Sequence, residues 1–461
     1  MKKLSKTTKL IYGVGDLGFS MTSTIIGAYF AIFLTDVVGI SPGIAAIAIF
    51  IGRSWDYIND PIMGYLSDRT RTRWGRRRPF LLFGALPFAL AFALLWWKPP
   101  FLSGDNALAV FYAIAYIIYE ASATIVYMPY FALTPELTDD YDERTKLTSY
   151  RMFFSIIGSL VSFILPMIII GSMAPKNANR VLMMGLIFGL LSAAPLIIVF
   201  FGIRERKEFS EVDKPRLFQS LKAALKNRPF IFGAIIYLLT WASVAIVQSN
   251  LLFFLKYVAN RENQSTLIMA TIFVVAMFSI PLWEWLSRRW NKRLAYIFGI
   301  AFWAIVQLVL ITVTPSTPLS IILLLCFLAG IGVGAAHVLP WSIIPDAIEW
   351  DEYQTGERHE GMFYSLITLT AKVANSIAVP LSLMVLELTG YVPNMAQQSK
   401  ETLTGIRLVI GPIPAALLVG GILFAIFYPL TREKHHELVT ELEKQRQTRL
   451  SIANHPDKVN P

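Results

Sequence analysis

The sequence predicts an all-α membrane protein, twelve transmembrane helices folded as two six-helix bundles. Three observations carry that expectation. Of the 461 residues 55% are hydrophobic and only 16% charged, where a soluble domain carries about 25% charged residues. The mean hydropathy is +0.54, and the apolar residues gather into runs of the ~20 residues that a helix needs to cross a bilayer. A single long hydrophilic stretch, RERKEFSEVDKPRLFQSLKAALKNRP at 204–229, divides those runs into six and six.

In chain order, span 1 covers 11–35 and tolerates polar residues (Gly13, Gly15, Asp16, Gly18, Ser20). Spans 2, 3 and 4 fall at 43–67, 79–97 and 106–131; span 5 starts near Tyr150 and span 6 ends near Gly202. Spans 7 to 12 follow at 230–257, 264–286, 294–313, 318–343, 362–389 and 405–429. The expected organisation is therefore a bundle over 1–203, a middle loop over 204–229, a second bundle over 230–430 and a polar tail over 431–461. No small-residue cleavage site follows the first apolar run, so span 1 reads as a retained helix rather than a signal peptide. The halves echo one another, since SDRTRTRWGRRRP follows span 2 and LSRRWNKR follows span 8. Such symmetry places a substrate site near the midplane, between halves that rock.

The net charge of +10 is topogenic rather than a nucleic-acid footprint. Roughly three quarters of the 41 Lys and Arg lie in the N-terminus, the even-numbered loops and the tail, which places both termini in the cytoplasm of a plasma (inner) membrane protein. The one cysteine, Cys326, excludes an intrachain disulfide. The five histidines show no metal spacing and no Gly-rich phosphate loop follows a strand. Neither an enzyme nor an ATP-driven pump is expected, no cofactor is implied, and the expected state is a monomer in lipid.

Residues 52–79, GRSWDYINDPIMGYLSDRTRTRWGRRRP, carry the sharpest signal. Arg53, Asp56 and Asp60 share one face of span 2, about a turn apart. Ionisable residues inside a bilayer are functional by default. Two neighbouring carboxylates stay ionised there only beside a cation; otherwise one takes a proton. This points to coupling by Na⁺, Li⁺ or H⁺, although Arg53 could simply neutralise Asp56. On span 4, Glu120, Thr124 and Tyr127 form a stripe of carboxylate, hydroxyl and phenol. Arg151 opens span 5 within reach of Glu120 or a span 2 aspartate. Tyr116, Tyr119, Tyr127 and Tyr130 are either substrate-stacking rings or packing. Lys372 has no acidic partner on its own span, so its counterion is most economically a span 2 aspartate, with snorkelling as the alternative. Asp16 either binds substrate or gates, and His337 reads as a satisfied core histidine. At the cytoplasmic ends, Asp68 with Arg76, Arg77 and Arg78, and PELTDDYDERT at 135–145, place opposite charges on neighbouring loops, and the acidic stretch 345–361, Asp346 and Glu349 included, can clamp onto arginines of the other half as a gate.

Four strings, YGVGDLG, WDYINDPIMGYLSDRTRTRWGRRRPF, PYFALTPELTDDYDERT and DAIEWDEYQTGERHEG, together resemble the glycoside–pentoside–hexuronide:cation symporter family of the major facilitator superfamily, in particular its melibiose permease branch. The resemblance spans nearly the whole chain. It implies a cation site (a metal site if the ion is Na⁺) at Asp56, Asp60 and Thr124. It implies a substrate cavity lined or neighboured by Asp16, Ser20, Glu120, Tyr127, Arg151 and Lys372. Two sugar-gripping aspartates of that branch fall at Ser20 and Tyr127 here, which speaks against melibiose itself. The expected function is secondary active symport of a sugar or glycoside with a cation. The alternatives are a lysolipid or other non-sugar carrier of the same fold, or a sugar sensor that has lost transport.

Overall fold

The structure, a computed structural model, describes residues 4–138, 141–205, 224–356, 360–395, 397–430, 434–435, 437–442 and 444. Among these, eleven helices are long and apolar enough to cross a membrane. The twelfth span is broken. Pro42–Ser54 and Asp56–Arg69 are separate helices of 13 and 14 residues joined at Trp55. Neither alone reaches across the ~30 Å hydrocarbon core, but together they do. Pro61, inside the second piece, has no N–H to give to the turn before it, and the interruption falls immediately before Asp56. Broken helices at membrane depth are tolerated where they line a site.

Span 1 is Lys6–Ile32, continued by a π-helical turn Phe33–Val38; span 7, its counterpart in the second half, is Arg228–Phe253 continued by a π-helical turn Phe254–Val258. Spans 3 to 6 are Arg78–Leu95, Asp105–Leu137, Tyr141–Ile170 and Ala178–Gly202. Spans 8 to 11 are Ser265–Arg289, Lys292–Leu310, Leu319–Thr355 and Glu360–Leu388. Span 12 bends at Gly411, between Lys400–Ile410 and Pro412–Ile426.

Span 10 corrects the expected boundary at 343. It continues as helix to Thr355 and stops at Gly356, whose φ of 75° suits a glycine C-cap. The acidic stretch expected as a loop is therefore helical as far as Thr355. The expected middle loop and tail lie largely outside the described residues.

The halves meet through spans 1 and 7, 2 and 11, and 5 and 8. One hydrophobic core runs through both, joining Tyr29 and Phe30 of span 1 to Leu252 and Phe253 of span 7 and Leu383 of span 11. Named contacts along these seams run from Asp36 at the end away from the N-terminus to Lys372 near mid-span. Phe163 on span 5 meets Phe273 on span 8 with ring centroids 4.9 Å apart.

Candidate cation and substrate site

The break in span 2 presents Asp56 and Asp60 to spans 4 and 11. Thr124 donates its hydroxyl to Asp56 Oδ1 and Asp60 Oδ1, 3.3 Å from each. From the other half, Lys372 Nζ lies 2.8 Å from Asp56 Oδ2 and also pairs with Asp60 Oδ2. Tyr57 and Ser376, one turn on, bond through their hydroxyls and fix the register of spans 2 and 11. Asp60 and Lys372 keep 26% of their side-chain surface exposed and Asp56 15%, so water and ions reach the cluster. Ionised, two carboxylates and one ammonium sum to −1. That charge suits one monovalent cation, for which carboxylate and hydroxyl oxygens are hard ligands.

Arg53 does not neutralise Asp56. Its Nε donates to Tyr116 Oη on span 4 at 2.7 Å. Glu120 lies within electrostatic reach of Asp56, Arg53 and Lys372, while its backbone carbonyl accepts a long bond, 3.4 Å, from Asn59 Nδ2. Arg151 pairs with neither Glu120 nor a span 2 aspartate. Its Nε is 3.6 Å from Asp16 Oδ2, its guanidinium carbon lies 4.4 Å from the Phe131 ring centroid, and Nε has no hydrogen-bond partner. Asp16, one turn before Ser20, thus belongs to an ion pair between spans 1 and 5.

Ser20 and Tyr127 lie inside helix contacts, at 4% and 2% exposure. Ser20 donates to Leu17 O at 3.0 Å and fills the space that Gly158 leaves on span 5. Tyr127 packs on Phe19, with ring centroids 4.9 Å apart. Its hydroxyl sits beside Gly18, where a Cβ would collide with the Ser192 carbonyl of span 6. Small residues let these helices approach closely at both positions. Tyr116, Tyr119 and Tyr130 are likewise buried, among Phe30, Phe88, Phe92 and Tyr12, so the four tyrosines are packing rather than stacking platforms. In the second half, His337 bonds Val333 O through Nδ1 at 2.9 Å and meets Trp241 edge-on. Trp241 leads on through Tyr237 to Trp341, itself 37% exposed, and to Tyr364.

Several of the expected gate residues have partners within their own half. Arg76 and Arg77 hold Glu136 at the end of span 4, at 2.5 and 3.0 Å. The backbone N–H groups of Arg76, Arg77 and Arg78 converge on the Glu205 carboxylate at 2.5, 2.8 and 2.8 Å. Arg78 Nε donates to Phe200 O at 2.9 Å. Asp346 takes Lys292 at 2.5 Å, and Glu349 takes His435 of the tail at 2.6 Å. The side chain of Asp68 lies outside the described residues.

Glu136 lies in the acidic stretch 135–145 that the sequence set opposite these arginines; sequence reasoning missed Glu205, and it missed Asp36. Asp36 is fully buried where span 1 ends, and its carboxylate accepts from Lys256 at 2.5 Å, Tyr257 at 2.6 Å and Tyr391. An acidic residue closing an apolar run was the available signal.

Residues 11–432 match the MFS/sugar transport protein family. An uncharacterized symporter of Synechocystis sp. is 32% identical over 97% of this chain and 98% of its own. A sodium-dependent lysophosphatidylcholine symporter of Danio rerio is 28% identical over 94% of this chain and 87% of its own. A sphingosine-1-phosphate transporter of Xenopus tropicalis is 27% identical over 98% and 93%. Among solved structures, a nucleoside transporter superposes with a TM-score of 0.66 at 12% identity, covering 93% of this chain and all of that one. A D-xylose–proton symporter gives 0.64 at 16% identity, over 92% and 97%. Both share the two-bundle fold. The chain belongs to the MFS/sugar transport protein family, and it is a multi-pass membrane transporter of the major facilitator type, not an enzyme.

Proposed function

We propose that the protein is a sodium-coupled symporter of a lysophospholipid-type amphiphile, one charged headgroup on one acyl chain, working by alternating access with both termini in the cytoplasm of the plasma membrane. The observation that carries the coupling is the cluster of Asp56, Asp60, Thr124 and Lys372, of net charge −1 when ionised, which joins spans 2 and 4 to span 11 across the seam between the halves. A cation bound there acts on both bundles at once, which is what coupling requires. Li⁺ and H⁺ can enter the same oxygens, and the relatives named for sodium favour Na⁺.

For the substrate, the burial of Ser20 and Tyr127 weakens the sugar reading. A sugar site wants several polar groups converging on hydroxyls, and these two positions are filled by helix contacts. Arg151, 17% exposed and held by Asp16 only through a 3.6 Å ion pair, suits a phosphate. The partly exposed rings of Trp241, Trp341 and Tyr364 suit an ammonium or an alkyl chain. The lateral apolar groove lined by Thr70, Pro79, Phe80, Phe83, Gly84, Pro87, Ser122 and Ile125 meets span 4 about half a helical circumference from Thr124.

The test is uptake into proteoliposomes of lysophosphatidylcholine, sphingosine-1-phosphate and a panel of glycosides, with and without an inward Na⁺ gradient. Lysophosphatidylcholine uptake is expected to rise about tenfold with the gradient, a factor equivalent to ~1.4 kcal/mol. Sodium-driven uptake of a glycoside alone would overturn the substrate and leave the coupling. Uptake of every compound blind to Na⁺, Li⁺ and H⁺ gradients would overturn symport.

A further inference from the structure

The two halves carry the same turn where spans 1 and 7 end. Phe33-Leu34-Thr35-Asp36-Val37-Val38-Gly39 aligns with Phe254-Leu255-Lys256-Tyr257-Val258-Ala259-Asn260. Both segments leave the α-helix for a π-helical turn. Both then end on a residue of positive φ, 98° at Gly39 and 53° at Asn260, a conformation that glycine and asparagine adopt most readily. π-Turns inside helices are uncommon and concentrate at functional positions. Two of them, at equivalent places in a repeated fold, aim opposite charges at one another.

The pair sits in a saturated knot. Asp36 Oδ2 accepts from Lys256 Nζ at 2.5 Å and Tyr257 Oη at 2.6 Å; Oδ1 accepts from Thr35 Oγ1 at 3.0 Å and from Tyr391 Oη. Lys256 Nζ also donates to Met173 O at 2.6 Å and Asn394 Oδ1 at 3.3 Å, and Asn394 Nδ2 donates to Asp36 O. Glu262 Oε1 accepts from Met173 N at 2.7 Å. Span 1, the turn after span 5, span 7 and the turn after span 11 are thereby tied together at the end opposite the N-terminus. No such knot is needed to hold either bundle, since most of its bonds run between the bundles.

We propose that Asp36 and Lys256 form the latch that closes this mouth of the transporter, opening and re-forming once per cycle. The assignment rests on the alternating-access reading above and is independent of which substrate is carried. Closed, each charge has its partner and nearly all its hydrogen-bonding capacity filled. Open, both are hydrated. Such a pair is close to neutral overall between the two states, as a reversible latch requires, whereas removing one partner strands a charge that only water can satisfy. Single neutralisations therefore hold the mouth open, and neutralising both lets it close again.

The experiment uses the full chain with Cys326→Ala and a reporter, Gln248→Cys. Gln248 on span 7 donates to Thr24 O of span 1 at 3.4 Å, on the seam that parts when the mouth opens. A membrane-impermeant maleimide is applied from the latch side, and ²²Na⁺ binding is measured on the same preparations. Asp36→Asn and Lys256→Met are each expected to speed labelling about tenfold, and the double variant to return it to the parent rate or below, with sodium binding retained throughout. Labelling unchanged in both single variants, or a double variant as fast as the singles, overturns the latch. Tyr391→Phe removes one donor and no charge, and serves if the charge variants fail to fold; about threefold faster labelling is expected, and the parent rate overturns the proposal. Loss of sodium-driven uptake with an intact labelling pattern would count against the symport reading alone.

Discussion

Two carboxylate–lysine clusters join the bundles, and they are built to opposite ends. Around Asp36 the carboxylate is fully buried and accepts from four side chains. Around Asp56 and Asp60, two carboxylates share one ammonium and one hydroxyl, and up to a quarter of their side-chain surface stays open. The first cluster has no vacant lone pair to offer an ion. The second has an excess negative charge and spare oxygens. Saturation makes a contact between halves, and under-saturation leaves oxygens to which a cation is proposed to bind.

The sharpest way to break the comparison is to neutralise the second cluster. Asp60→Asn and Asp56→Asn are each expected to lower sodium-stimulated uptake at least about a hundredfold, since each removes the site's excess charge. Thermal unfolding of the same variants should move little, because the groups are partly hydrated already. The order reverses at the first cluster. Asp36→Asn leaves Lys256 buried without its carboxylate, a change that costs about 3–5 kcal/mol when one partner of a buried pair is lost, and it should lower the detergent-solubilised melting temperature clearly more than Asp60→Asn does. A smaller effect is expected at Thr124→Ala, which keeps both charges and removes one oxygen ligand. Sodium affinity should fall about tenfold, with the uptake rate at saturating sodium nearly unchanged.

The smallest effect lies at the basic end, where surface pairs are worth little. The hydrogen bond to Glu349 raises the pKa of His435 above the ordinary imidazole value. A raised folded-state pKa means that the contact is fully present below the unfolded value and is lost as pH rises through the raised one. Docking of the tail helix on span 10 should weaken above neutral pH and strengthen below it. Amide exchange of residues 437–442 across that range reads it, and His435→Gln should flatten the profile.

The fold was legible because a bilayer imposes length and polarity on every span. The pairing of Lys372 with Asp56 and Asp60 was legible for the same reason, since the three are costly inside a membrane and needed one another. The rest depended on helix rotation and depth, which spacing alone does not convey. Ser20 and Tyr127 lie on plausible faces, but Gly18 and Gly158 let the helices approach closely there. Arg53 sits one turn from Asp56 yet turns to Tyr116, because a side chain on a helix can reach a neighbouring helix as easily as its own. Asp36 was overlooked at the edge of an apolar run, where a charge usually marks the membrane boundary. Its role emerges only when its counterpart turn in the other half is set beside it.

The most direct test of the central claim is sodium binding by calorimetry on the purified full chain and on Asp60→Asn. The account predicts one Na⁺ per parent chain and none per variant, with the Asp36→Asn variant still binding one. A parent chain that binds no sodium, or an Asp60→Asn variant that binds it as the parent does, would contradict it.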